Sequence, residues 1–270
     1  MKIPFHKYHG TGNDFIIING IKYPEAIGLT SDQIEKLCDR HFGIGADGLM
    51  ILTESDQADF KMIYYNSDGK TSSMCGNGGR CIAKFSFLHN ISDAQVLFEA
   101  FDGNHQATVL DNGNVNLEMI NVAGFKKLSG DSYEIQTGSP HYVQFTSQIE
   151  DKEIVEFGKH IRYSDTYKAE GINVNTASLN METLEVRTYE RGVEDETLSC
   201  GTGVTAAALC ATDYYQLDKQ SIQIQAKGGK LEVAFRKDGE IFTDIRLIGP
   251  AEFVFEGVIT SATLSYLSVL

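Results

Sequence analysis

Four short segments of this 270-residue chain recur in the same order about 125 residues apart. TGNDF from Thr11 is answered by TGSPH from Thr137, and Gly43-Ile44 by Gly171-Ile172. YNSDG from Tyr65 is answered by YERGV from Tyr189, and CGNGG from Cys75 by CGTGV from Cys200. The offsets are 126, 128, 124 and 125 residues. One such match is chance, but four in order at near-constant spacing indicate two copies of one unit. The period far exceeds the 20–50 residues of solenoid repeats, so two similar domains are expected rather than a stacked array. Chain length agrees, at roughly 100–200 residues per domain. The expected division is 1–117 for the first half and 118–259 for the second, with 260–270 returning to the first.

Strand-like and helix-like runs alternate, which makes the expected class α/β (α+β). Strands are expected at Phe15–Asn19, Leu49–Leu52, Phe60–Tyr65, Asn114–Ile120, Leu184–Tyr189, Ile222–Gln225 and Lys230–Phe235. A first helix should start after Thr30, which has capping-box spacing to Gln33 and is followed by apolar Ile34 and Leu37. No low-complexity or Pro-rich linker marks a boundary between the halves.

Each of the two cysteine segments has the same local grammar: strand, polar turn, Cys-Gly-Xaa-Gly, helix. GNGGRCIAKFSFL follows Cys75 and GTGVTAAALCATDYY follows Cys200. The glycines permit close backbone approach just before the helix. A helix start carries unpaired N–H groups and a partial positive charge. A carboxylate can dock on such a start, here on the amides of Gly76-Asn77 and Gly201-Thr202. A cysteine there has its thiol pKa lowered from about 8.5 into the range of roughly 3.5–7.5. Two copies facing each other would bring Cys75 and Cys200 to one ligand from opposite sides, since ligand sites favour domain interfaces. That arrangement suits removal of an amino acid's α-proton by a thiolate and return of a proton to the other face by a thiol. Helix ends aimed at the α-carboxylate would stabilise the developing charge. Cys38, Cys81 and Cys210 sit in expected helices without a following Gly-Xaa-Gly and read as packing residues.

Composition narrows the alternatives. A formal net charge of −14 argues against a nucleic-acid surface, which needs clustered Lys and Arg. No apolar run approaches the ~18 residues of a membrane span, and the start, MKIPFHKYHG, does not read as a secretory signal. A cytoplasmic protein is therefore expected. Five cysteines without a Cys-Xaa-Xaa-Cys pair fit reduced thiols better than a disulfide framework, a dithiol redox site or structural zinc. Neither glycine loop ends in the Gly-Lys-Ser/Thr of a P-loop.

HGTGNDF (9–15), RHFGIGADG (40–48), YNSDGKTSSMCGNGGRC (65–81) and YERGVEDETLSCGTG (189–203) together resemble the motifs of the diaminopimelate epimerase family, in order and over nearly the whole chain. The resemblance implies two pseudo-symmetric domains, each a curved sheet or barrel around a central helix. It implies epimerisation of LL- to meso-diaminopimelate in lysine and peptidoglycan precursor biosynthesis, with no pyridoxal phosphate and no metal. It also implies a homodimer. The wider family holds proline racemases and hydroxyproline epimerases, which use two cysteines, and phenazine-type isomerases, which lack them.

Carried over residue by residue, the resemblance makes Cys75 and Cys200 the catalytic pair, flanked by His141 and Glu190. Gly76, Asn77, Gly201 and Thr202 hold the reacting carboxylate through their amides. Asn13, Asn66 and Asn173 contact substrate, as does Ser139, which stands where many members carry asparagine. Gly48 likewise replaces a frequent glutamine. Glu190 and Arg191 read the far end of the substrate, an ammonium and a carboxylate. Arginine forks onto a carboxylate, and glutamate accepts from an ammonium. A two-cysteine racemase of proline or hydroxyproline is the alternative, but a proline-sized substrate offers that pair no distal zwitterion. A non-catalytic amino-acid binder would explain a pocket but not two matched thiols.

Overall fold

The computed structural model describes residues 2–72, 74–149 and 153–267. The chain divides into two compact units, residues 1–117 with 250–270, and residues 118–249.

In the first unit β1 (Lys2–Gly10) and β2 (Asn13–Asn19) form an antiparallel hairpin, and α1 (Ser31–Cys38) follows. The Thr30 capping box is present. Gln33 N donates to Thr30 Oγ1 at 3.3 Å and Thr30 N to Gln33 Oε1 at 3.0 Å, with Ile34 and Leu37 on the buried face. β3 (Gly48–Thr53) then runs parallel to β2, and β4 (Phe60–Asn66) runs antiparallel to β3. After α2 (Gly76–Leu88), β5 (Gln95–Ala100) pairs parallel with β4, and β6 (Gly103–Val109) and β7 (Val115–Glu118) continue antiparallel. α2 packs against β1, β2, β3, β5 and β6, which makes it the central helix of the unit.

The second unit repeats this order. β9 (Ser132–Gln136) and β10 (Pro140–Phe145) are antiparallel, α3 (Ile154–Arg162) follows, and β11 (Asn173–Asn180) is parallel to β10. β12 (Thr183–Glu190) is antiparallel to β11, a short β13 (Asp195–Thr197) intervenes, and α4 (Gly201–Tyr214) leads to β14 (Ser221–Ala226), parallel to β12. β15 (Gly229–Asp238) and β16 (Ile241–Gly249) continue antiparallel. α4 packs against strands β9 to β12 and β14 to β16. Its run of buried alanines, Ala206, Ala207, Ala208 and Ala211, lets strands approach on every side, as befits a helix buried all round.

Besides β13, one strand of each unit lies outside the repeated order. β8 (Phe125–Ser129) pairs antiparallel with β9. The matching place beside β1 is taken by β17 (Glu252–Thr260), antiparallel to β1 from Lys2 to His9. Residues 250–259, grouped with the second half in the sequence division, therefore count with the first unit, as does α5 (Ser261–Leu267). Among the described residues no helix is long and apolar enough to cross a membrane.

Candidate active site

The first unit builds its thiol from a turn and a helix end. Cys75 is the N-cap residue of α2, in extended conformation (φ −98°, ψ 131°), and the first helical hydrogen bond runs from Gly79 N to Cys75 O at 2.7 Å. Helix geometry leaves the amides of the first turn, Gly76 and Asn77 included, without intrahelical acceptors. Gly12, at φ 88°, turns the chain between β1 and β2 and presents Asn13 to the sulfur. Cys75 Sγ lies 3.5 Å from Asn13 Oδ1, which also accepts from Asn77 Nδ2 at 3.3 Å. Asn13 Nδ2 donates to Asp47 Oδ2 at 2.6 Å.

Charged residues brace this cluster. Arg40 bridges Asp14 and Asp47 at 2.7 and 2.6 Å, and Lys7 pairs with Asp14 at 2.7 Å and donates to the Gly45 carbonyl. Burial would raise the Asp14 pKa, but hydrogen bonds from Arg40 and Lys7 outweigh it and hold the carboxyl well below the usual range. Arg80, one turn into α2, is fully buried. It donates to Asn77 Oδ1 at 3.0 Å, Gly76 O at 3.2 Å, Thr11 Oγ1 at 3.4 Å and Pro250 O at 3.4 Å. Asn66 ends β4 opposite Gly48, with its side chain exposed. A Cβ at Gly48 would come within 2.6 Å of the Tyr65 carbonyl and the Tyr64 ring, so glycine suits this register and a longer residue does not.

In the second unit Cys200 is the N-cap residue of α4 (φ −114°, ψ 113°) and is buried. Its Sγ lies 3.5 Å from Thr202 Oγ1, which is 2.9 Å from His141 Nε2. His141 Nδ1 is 3.0 Å from Asn175 Nδ2, and Thr188 Oγ1 donates to Asn175 Oδ1 at 2.8 Å. Burial, with the Arg191 charge adding to it, pushes the His141 pKa down to about 3, so the ring is neutral. Thr137 Oγ1 donates to the Thr202 carbonyl at 2.9 Å, and Ser139 follows half-buried in the bend after Gly138 (φ 105°). Asn173 donates to Pro140 O at 3.3 Å and accepts from Arg191 N at 2.9 Å. Arg191 Nη1 donates to the Glu170 carbonyl at 2.9 Å. Glu190 is half-buried at the end of β12, where its carbonyl accepts from Glu194 N at 2.8 Å.

Within the first unit the structure thus joins Asn13, Cys75, Gly76 and Asn77, and leaves Asn66 apart at a strand end. Within the second it joins Cys200, Thr202 and His141, and separately Asn173 with Arg191. Sequence reasoning missed Asp47, Arg80, Asn175 and Thr188. Asn175 lies two residues from Asn173 in β11 and so faces the same side, but the polar run does not read as a strand, so the sequence carried no signal for it. The three other cysteines are buried, and burial pushes the Cys38 and Cys81 thiols up to about 12 and the Cys210 thiol well above its ordinary value.

Solved structures with this fold include the PhzF-family phenazine biosynthesis protein of Bacillus anthracis, with a TM-score of 0.74 at 15% identity over 96% of this chain and 99% of that one. A hydroxyproline epimerase of Agrobacterium vitis aligns with a TM-score of 0.68 at 14% identity over 96% of this chain and 92% of that one. The fold is therefore the proline racemase and PhzF-like fold of two pseudo-symmetric α/β domains. The diaminopimelate epimerase family model matches residues 5–123 and 133–254. Diaminopimelate epimerase of Flavobacterium psychrophilum is 48% identical over 94% of this chain and 99% of its own length. That of Chlorobaculum tepidum is 38% identical over 93% and 99%. The chain belongs to the diaminopimelate epimerase family.

Proposed function

We propose that this protein interconverts LL- and meso-diaminopimelate by a two-cysteine acid/base mechanism without a cofactor, in lysine and peptidoglycan precursor biosynthesis. The supporting observation is that each of two units of like topology opens its buried central helix with a Cys-Gly-Xaa-Gly loop, in a chain of this family. One cysteine, as thiolate, takes the α-proton, so the C–H bond breaks and an S–H bond forms. The other, as thiol, gives its proton to the opposite face of the carbanion. The enzyme is left with the two roles exchanged. Amides of Gly76, Asn77, Gly201 and Thr202 would hold the α-carboxylate and the charge that develops on it. Asn13, Asn66, Ser139, Asn173, Glu190 and Arg191 would bind the rest of the substrate. Arg191 uses Nη1 on the Glu170 and Gly171 carbonyls, while Nε and Nη2 make no hydrogen bond among the described residues. Those donors suit a distal carboxylate. The family resemblance further supports a cytoplasmic homodimer.

Incubation of the purified protein with LL-diaminopimelate, followed by resolution of the stereoisomers, is expected to yield the meso form. Cys75→Ala and Cys200→Ala should each lower turnover by more than roughly 10²–10⁴-fold, the usual cost of one acid/base group. No conversion by the unaltered protein removes the substrate assignment. Near-normal turnover by either folded variant removes the two-thiol mechanism.

A further inference from the structure

A two-thiol reaction needs one thiolate and one thiol at rest, and one side-chain hydrogen bond at each sulfur runs in the direction opposite to that at the other. In the second unit the direction is set by a group that can only accept. Asn175 has its side chain 3.1 Å from the Tyr142 carbonyl, so the atom there is the amide nitrogen. The same nitrogen faces His141 Nδ1 at 3.0 Å, and that ring nitrogen must accept. Thr188 agrees with this orientation, because its hydroxyl donates to the other end of the amide. His141 therefore carries its proton on Nε2 and donates it to Thr202 Oγ1. The Thr202 hydroxyl proton is then directed away from the ring, towards Cys200 Sγ. A donor aimed at sulfur favours the thiolate.

In the first unit both amides are oriented by one-way groups in the other sense. Arg80 only donates, so the Asn77 atom beside it is Oδ1 and Asn77 Nδ2 faces Asn13. Asp47 only accepts, so Asn13 gives it Nδ2 and turns Oδ1 to Cys75. An amide oxygen can only accept, which favours the protonated thiol. The helix N-terminus acts alike on both sulfurs and does not choose between them. The Arg80 charge works the other way, but its N–H groups are directed at Gly76, Asn77, Thr11 and Pro250 rather than at the sulfur.

We infer that Cys200 is the thiolate and Cys75 the thiol of the resting protein, and that Asn175 and Thr188 are positioning residues that set the His141 tautomer and, through Thr202, the charge on Cys200. The inference rests on the reading of these cysteines as the acid/base pair. Three further observations support it. His141, Asn175 and Thr188 are all buried. The ring is kept neutral by burial and by Arg191, the charged group that faces it. A Cβ at Gly203 would meet Asn175 Oδ1 at 2.5 Å, so the second glycine of the Cys200 loop is what lets this network lie directly beneath the sulfur.

Ultraviolet absorbance of the thiolate, titrated against pH without substrate, tests this. The three buried cysteines contribute nothing near neutral pH, since their thiols are pushed far up. The neutral-pH signal should persist in Cys75→Ala and vanish in Cys200→Ala, and the reverse pattern overturns the assignment. In the Cys75→Ala background, Thr202→Val should raise the thiolate's apparent pKa by about one unit, as loss of a hydrogen bond to a charge implies. Thr202→Ser should restore it, and Asn175→Leu should shift it in the same direction as Thr202→Val. Titration unchanged by Thr202→Val or Asn175→Leu overturns the relay. The comparison of the two cysteine variants leaves the network intact and stands even where a network variant fails to fold. Because the titration uses no diaminopimelate, its failure is distinct from failure of the epimerase assay.

Discussion

The layer beneath Cys75 and the layer beneath Cys200 occupy equivalent places in one topology and are chemically opposite. Strand pairing gives the correspondence. Phe15 and Gly48 are partners across β2 and β3 as His141 and Asn173 are across β10 and β11. Met50 opposes Tyr64 as Asn175 opposes Thr188. The first unit therefore has Phe15, Met50 and Tyr64 where the second has His141, Asn175 and Thr188. Phe15 and Tyr64 meet edge to face at 6.0 Å, whereas their counterparts belong to a hydrogen-bonded chain that ends at Thr202 and the sulfur. One turn into the central helix the contrast reverses. Arg80 donates to Gly76 O in the first unit, and Thr205 donates to Gly201 O at 2.9 Å in the second. A duplicated scaffold has kept the two thiols at like helix ends while its units diverged in how each sulfur is surrounded. A reaction that needs an acid and a base has use for that inequality.

The difference at Arg80 and Thr205 should be the largest in stability. Arg80→Met leaves several buried acceptors without their donor and is expected to cost about 3 kcal/mol. Thr205→Val loses one hydrogen bond and should cost about 1 kcal/mol. Denaturant midpoints at unchanged slope measure both, and equal losses would break the comparison. Gly203→Ala and Gly78→Ala probe the two layers directly. The first drives a Cβ to 2.5 Å from Asn175 Oδ1 inside a fixed network, an overpacking worth about 2 kcal/mol. The second brings a Cβ to 3.3 Å from the flexible Met50 thioether, and the helix-propensity gain of about 1 kcal/mol offsets it. Melting temperatures that fall equally would show the layers to be alike.

The most gradual effect expected, spread over several pH units, is in acid. His141 holds its folded pKa near 3 against 6.5 when free, so below pH 6.5 the unfolded chain takes up a proton that the folded one refuses. The stability due to the neutral ring is complete above 6.5 and declines as pH falls towards 3. The loss is about 1.4 kcal/mol per pH unit for one proton. His141→Gln should remove this component, which has no counterpart at Phe15. Unfolding free energies measured from neutral to acid pH in both proteins check it, and parallel slopes would mean that His141 is charged in the fold.

Much of this was legible along the chain, and for local reasons. Internal repetition shows as repeated words. Helix starts show as Cys-Gly-Xaa-Gly or as Thr30 three residues before Gln33, β3 shows as a short hydrophobic run, and β4 and β12 show as alternating ones. β11 escaped notice because Asn173, Asn175 and Thr176 are polar yet buried, a pattern that reads as a loop until their partners are known. β17 escaped because its apolar residues, Phe253 to Phe255 with Val258 and Ile259, do not alternate with polar ones. The two cysteine loops, the helix-start amides proposed to hold the carboxylate, and the pair Glu190-Arg191 could be proposed from spacing and family likeness. The orientation of the hydrogen bonds at each sulfur could not. His141 meets Asn175 across 34 residues, and Asn175 meets Thr188 across 13, through a parallel pairing on one side and an antiparallel pairing on the other. Which end of an amide faces a ring nitrogen or a thiol depends on one-way neighbours such as the Tyr142 carbonyl, Asp47 and Arg80. Those neighbours arrive by strand register and helix packing. Residue type could therefore point to two candidate cysteines, while the hydrogen-bond partners around them had to wait for the chain to fold.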